Sequence, residues 1–196
     1  MSRAQPRIEG SALRRRLARF LGETRGAILV EMAFAVPILL VMVLGCFDTG
    51  RYILLHQKLD RAASTMADLV SRPTSISQSD IDSMFTAAGE LLSPYDLTQS
   101  GLVIITSVSQ APGDSARIDW QHEGGGGLSA SSDIGSTAGQ LATLPSGFTM
   151  RDGENIIVAE VFFDHEPMFL EYLLGSGIVS HTAVRKPRRS DLSTLN

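Results

Sequence analysis

Hydrophobic positions fall along this chain in three distinct patterns. From Ala27 to Phe47 the sequence reads AILVEMAFAVPILLVMVLGCF, apolar around the whole helical circumference, with Glu31 the only ionisable side chain besides the Cys46 thiol. About 20 helical residues cross a ~30 Å hydrocarbon core, so the pattern predicts a transmembrane helix over 27–47. Pro37 fits, because a membrane helix carries proline with a kink. The run exceeds the apolar core of a cleaved secretory signal, and its polar boundary DTGR leads straight into more helix-like sequence. It is therefore read as a retained span. A buried helix of a soluble core is disfavoured by the missing polar face.

Residues 51–72, RYILLHQKLDRAASTMADLVSR, change the pattern to a stripe. Tyr52, Leu55, Leu59, Ala62, Met66 and Leu69 recur at alternating steps of three and four, one apolar face of an amphipathic helix. Pro73 marks its end. Residues 27–72 thus form one long helix whose second half packs on a domain or on partner helices. In the third pattern, helix and strand signals alternate over 73–196. A helix is expected within 74–94, with Ile81, Met84, Phe85, Ala88, Leu91 and Leu92 on one face and Ser/Asp caps before it. Strands are expected at 101–110, after the turn APGD in ARIDWQ, at 155–165 with Ile157, Ala159, Val161 and Phe163 alternating, and last in GIVSHTAVRKPRR. The segment 122–147, with four glycines at 124–127, reads as a flexible polar loop, and PMFLEYLLG (167–175) as a short helix or apolar flap. A long helix packed on a small antiparallel sheet is an α+β fold.

Charge adds a direction. Residues 1–26 hold seven arginines (Arg3, Arg7, Arg14, Arg15, Arg16, Arg19 and Arg25) against Glu9 and Glu23. That head carries a net +5 in a chain whose total is −4, so the rest carries −9. A basic head before a span orients the start to the cytoplasm and the acidic domain outside. The arginines run directly into the apolar stretch, which argues against nucleic acid as a partner. The single cysteine, Cys46, excludes an intramolecular disulfide and a cysteine metal site, and suits a small lipid- or helix-facing hydrophobe.

Catalytic patterns are poor. The glycine run lacks the GK[ST] ending of a phosphate-binding loop. EVFFDHE offers Glu160, Asp164, His165 and Glu166, but in a strand His165 points away from the three acids, so solvated acids are favoured over a metal site. His122, His165 and His181 stand without a GxSxG-type elbow. Trp120 reads as core, and RKPRR as a solvated tail. No enzyme, cofactor or metal is expected.

The order of these features carries a resemblance. Basic head, RGAILVE, a proline six residues after the glutamate, and QKLDRAASTMADLV together resemble type IV pilin-like proteins. They are most similar to the TadE/TadF-like minor pseudopilins of the tight-adherence (Tad) pilus, with the TadF side suggested by IDW, VAEVFFDHEPMF and RKPR. The resemblance is strong over about 15–72. It implies cutting by a prepilin peptidase after Gly26, a mature amino terminus at Ala27, and Glu31 as the mature fifth residue. Met32 stands where many relatives carry an aromatic, with Phe34 two positions on. Implied partners are the peptidase, the major pilin, other minor pseudopilins, the inner-membrane assembly platform and membrane lipid, for a single-pass inner-membrane protein with a periplasmic domain. Glu31 also has a physical basis apart from any family. An amine created on Ala27 is one helical turn from its carboxylate, or meets it from a neighbouring helix. A lone charge at mid-bilayer costs about 2.5–3.5 kcal/mol on insertion scales, so pairing selects register. A different reading, a membrane-anchored binding or sensor module, makes the span a mere tether.

Overall fold

A computed structural model describes residues 24–169, 171–188 and 191–195. Residues 1–23 of the basic leader 1–26, with its arginines up to Arg19, lie outside the described residues. The chain divides into two compact units, Met1–Phe47 and Asp48–Asn196.

Helix α1 spans Thr24–Val70 without interruption at Pro37. In the first unit its side chains from Ile28 to Val43 are almost all exposed, and none of its most apolar window is buried. Apolar surface of this extent is not stable in water. One helix of this length and hydropathy points to a single-pass membrane anchor.

The second unit is α+β. After α1 come α2 (Gln78–Leu92), a short α3 (Leu97–Ser100), strands β1 (Gly101–Gln110), β2 (Arg117–Gly124) and β3 (Glu154–His165), a one-turn α4 (Glu171–Leu174) and β4 (Gly177–Arg185). The strands form one antiparallel sheet in the order β2-β1-β3-β4. Helix α2 starts where the sequence provides a reciprocal cap. The Ser77 N–H donates to the Asp80 carboxylate (3.0 Å), and the Asp80 N–H donates to the Ser77 hydroxyl (3.3 Å).

On β1 and β3 the odd-numbered residues face the helices, and on β2 Trp120 does. Val103, Ile105, Trp120, Ile157, Ala159, Val161 and Phe163 form one core with the α1 seam and with Ile81, Phe85, Ala88 and Leu92 of α2. The seam comprises the expected Leu55, Leu59, Ala62 and Met66, together with Ala63, Ala67 and Val70. Two stripe residues sit elsewhere: Tyr52 is 41 % exposed and Leu69 is half-buried. The cause is rotational. Five steps of three and four from 52 to 69 average less than 3.6 residues, so at ~100° per residue the ends of the stripe lie about 100° apart.

The opposite sheet face is covered as well, which the expectation of a flexible loop over 122–147 did not anticipate. Strand β2 continues to Gly124, and the segment after it folds back over the sheet. Ile134 packs there with Val108, Ile118, Ile156 and Val158, while Leu128 and Ala130 pack against Leu102, Ile104 and Phe162. Backbone bonds pin it: Leu128 N–H to Gly101 O, and Thr143 N–H to Ile134 O. The glycines are needed for close approach. A Cβ on Gly126 would lie 2.0 Å from the Gly101 carbonyl oxygen, and Gly125 holds φ +83°.

The tail after β4 is also anchored. Trp120 Nε1–H donates to the Leu192 carbonyl (2.6 Å), and Leu192 N–H donates to Asn155 Oδ1 (3.1 Å). RKPRR is only in part a solvated tail. Arg188 pairs with Asp68 (3.0 Å) and donates its N–H to Ser71 O, while Lys186 pairs with Glu154 (3.1 Å). Arg72, its close ion-pair partner, holds the Asp68 carboxyl below the usual carboxylate range, with Arg188 adding to the effect.

Candidate functional site

The residues marked by the sequence cluster along α1. Gly26 and Ala27 are exposed and lie inside the helix, and apart from the adjoining helix backbone no atom comes within 4 Å of where a Gly26 Cβ would stand. Glu31, one turn after Ala27, is exposed and makes no hydrogen bond or ion pair among the described residues. Its neighbours on the same helix face, Ile28 and Phe34 three positions either side, are both more than half exposed. The helix thus presents one carboxylate within an otherwise apolar surface available to lipid or to another helix.

This segment decides the comparison with known proteins. Residues 26–68 match the family model described as TadE-like protein. The match covers 43 of the 196 residues, the apolar helix and most of the seam, and supports a TadE-like family over that segment. No curated protein and no solved structure matches the chain.

Within the matched segment one polar group, which the sequence marks only as the charged boundary after the span, has a structural role. Asp48, the first residue after the apolar run, is only 1 % exposed. Its Oδ1 accepts from the Met168 N–H (3.2 Å) and its Oδ2 from the Phe169 N–H (3.0 Å). Charge-assisted bonds of this kind offset desolvation of a buried carboxylate. Beside it stands an aromatic cluster. Tyr52 meets His56 edge-on at 4.4 Å and His165 at 5.2 Å, and His56 Nδ1 lies 2.8 Å from His181 Nε2. Burial pushes His165 below the usual imidazole value, and Arg51 adds to this. Burial and then His56 do the same for His181. A cavity of about 450 Å³ opens beside them, lined by Thr49, Tyr52, His165, Gly175, Ile178 and Val179. The signal for this cluster was present as Tyr52 and His56 at i, i+4, but their partners on β3 and β4 come from the far end of the chain.

The other candidates separate. Glu160 is fully buried on the loop-covered face, where it accepts from the Ser132 hydroxyl in a short bond and from the Asp133 N–H (2.9 Å). Burial raises its carboxyl above the usual range, and these two donors oppose the rise. His165 points to the other face, as the strand alternation required, and Glu166 is exposed past the strand end. Among the described residues no group of three or more His, Cys, Asp or Glu is arranged to hold a metal ion. His122 pairs with Asp82 (2.9 Å) and stacks on Phe85.

Proposed function

We propose that this chain is a minor pseudopilin of a Tad-type pilus, with a structural role in assembly and no catalysis. The observation that carries the reading is the match beginning at Gly26, with Glu31 five positions later on an exposed apolar helix that continues without a break into a folded domain. In this reading a prepilin peptidase cuts after Gly26. The new amine of Ala27, or that of a neighbouring helix, pairs with Glu31, and α1 packs among helices of the major pilin and other minor pseudopilins at the inner-membrane platform. The domain lies in the periplasm before assembly and reaches the extracellular fibre with it, contributing to adhesion and biofilm formation. TadF identity is the finer form of the same proposal, resting on the resemblance of IDW, VAEVFFDHEPMF and RKPR.

The test is mass spectrometry of the amino terminus after co-expression with a Tad prepilin peptidase. The chain is expected to lose 26 residues and begin at Ala27, with Gly26→Ala blocking the cut. A full-length chain beside an active peptidase overturns processing. The tether reading is separated by Glu31→Gln: recovery of the variant with major pilin at wild-type level would favour a binding or sensor module.

A further inference from the structure

Asp48, the first residue after the apolar run, holds an apolar flap, and we propose that Met168, Phe169 and Tyr172, with Ile178, insert into the interfacial layer of the bilayer that holds residues 27–47. The proposal rests on reading 27–47 as a membrane anchor. Two observations carry it. The Asp48 carboxylate holds the Met168 and Phe169 N–H groups at 3.2 and 3.0 Å, so the flap backbone is tied to the first residue beyond the apolar run. The headgroup layers add about 5–8 Å per side to the hydrocarbon core. A backbone within hydrogen-bond reach of Asp48 therefore lies at interfacial depth whenever 27–47 spans.

The second observation is what the flap exposes at that depth. Met168 is 61 % exposed, Phe169 50 % and Ile178 53 %, and Tyr172 is fully exposed. Aromatic side chains with one apolar and one wet end concentrate at headgroup level, whereas such a patch facing water is unfavourable. Charge narrows the lipid class. From Asp164 to Val184 the sequence holds no Lys or Arg, only Asp164, Glu166 and Glu171 as charged residues. Arg51, close enough to act on His165, sets one cation against these three acids, so anionic lipid gives little net attraction and the surface suits zwitterionic phospholipid, with insertion little affected by salt.

The assay uses the full chain with Phe169→Trp in phosphatidylcholine proteoliposomes whose acyl chains are brominated either near the headgroup or near the bilayer centre. Trp120, buried in the core, supplies a constant unquenched background. The added emission is expected to fall at least about twofold with shallow bromine and much less with deep bromine, at low and high salt alike. Ala111→Trp, exposed at the other end of the ten-residue β1 and about 30 Å away at ~3.3 Å per residue, should stay unquenched. Adding Asp48→Ala should reduce the quenching of Phe169→Trp. An unquenched Phe169→Trp in a chain that resists carbonate extraction overturns the flap proposal and leaves the anchor standing. Extraction by carbonate overturns the anchor, and the flap with it. A blue shift that follows the protein-to-lipid ratio without bromine quenching assigns the patch to a second copy and also overturns the proposal.

Discussion

Asn155→Ala should loosen the carboxyl-terminal tail, and the chain contains its own reporter. Asn155 is 3 % exposed at the start of β3. Its Oδ1 accepts from the Leu192 N–H (3.1 Å), while its Nδ2 lies within reach of Ser107 Oγ (3.0 Å), Asp119 Oδ2 (3.1 Å) and Val108 O (3.3 Å). Truncation leaves the buried Leu192 N–H unsatisfied, which costs about 1–3 kcal/mol, and removes a donor from a carboxylate, worth about 1.5–3 kcal/mol. These terms overlap, because the tail can move to find water, so the net loss is about 2–4 kcal/mol. For a chain of this size that lowers Tm by about 5–15 °C. Trp120, the single tryptophan, donates to the Leu192 carbonyl, so its emission should shift to the red in the variant. The pH dependence has a defined sign. Burial holds the Asp119 carboxyl above its usual value against Ser109, Ser107 and Asn155. Losing Asn155 raises it further. A raised carboxyl contributes stability when protonated and loses it as pH rises past the unfolded-state value, so the deficit of the variant should be larger at pH 7.5 than at pH 4. Thermal unfolding of the full chain in detergent, followed by Trp120 emission, measures all three. An unchanged Tm and unshifted emission would falsify the tail-clamp argument.

Gly126→Ala should destabilise the domain by several °C in Tm or prevent its folding, whereas Gly127→Ala, with the Thr98 carbonyl oxygen at 3.6 Å as its close neighbour, should be near neutral; equal effects would restore the flexible-linker reading. Leu59→Ala removes a fully buried seam residue and should cost about 2–5 kcal/mol by the same thermal assay, while Leu69→Ala costs less. His165 and His181 are held below the usual imidazole value, so the unfolded chain binds protons first and stability falls as pH drops below about 6.5. His165→Gln should make the fall in unfolding free energy between pH 7.5 and 6 shallower, by up to about 1.4 kcal/mol per pH unit for one proton, read as a smaller drop in Tm over that range.

The helices and strands were legible because their signals are periodic and local. The α1 seam and the β3 alternation follow from 3.6 and 2 residues per repeat, and the Ser77–Asp80 cap lies within one turn. Three features were not legible, each because its cause is distant in sequence. Four consecutive glycines have the composition of a flexible linker, yet Gly126 is required by a carbonyl twenty-five positions earlier. Asp48 reads as a polar boundary, and its role depends on two N–H groups 120 and 121 positions later. His56 and His181 meet across 125 positions. Composition describes a segment in isolation, and these residues are defined by what folds onto them.

Where apolar surface remains exposed bears on how the chain would associate. The large exposed hydrophobic side chains of the described residues fall between Ile28 and Leu54 and between Met168 and Ile178, with Leu141 apart from both groups. Both faces of the sheet are covered, one by helices and the other by the loop after β2, so neither offers an apolar surface to a second subunit. Association driven by apolar burial is therefore confined to α1 and the flap beside it. Lipid tails are as apolar as leucine, so packing between spans gains little from hydrophobicity alone. A polar group in the interface then has disproportionate weight in choosing register. In the span Glu31 is the only carboxylate, and it lies among exposed apolar neighbours with no partner among the described residues. Its replacement by Gln should leave the Tm of the domain unchanged while reducing co-purification with major pilin. A matched loss in both measurements would instead place the role of Glu31 in folding.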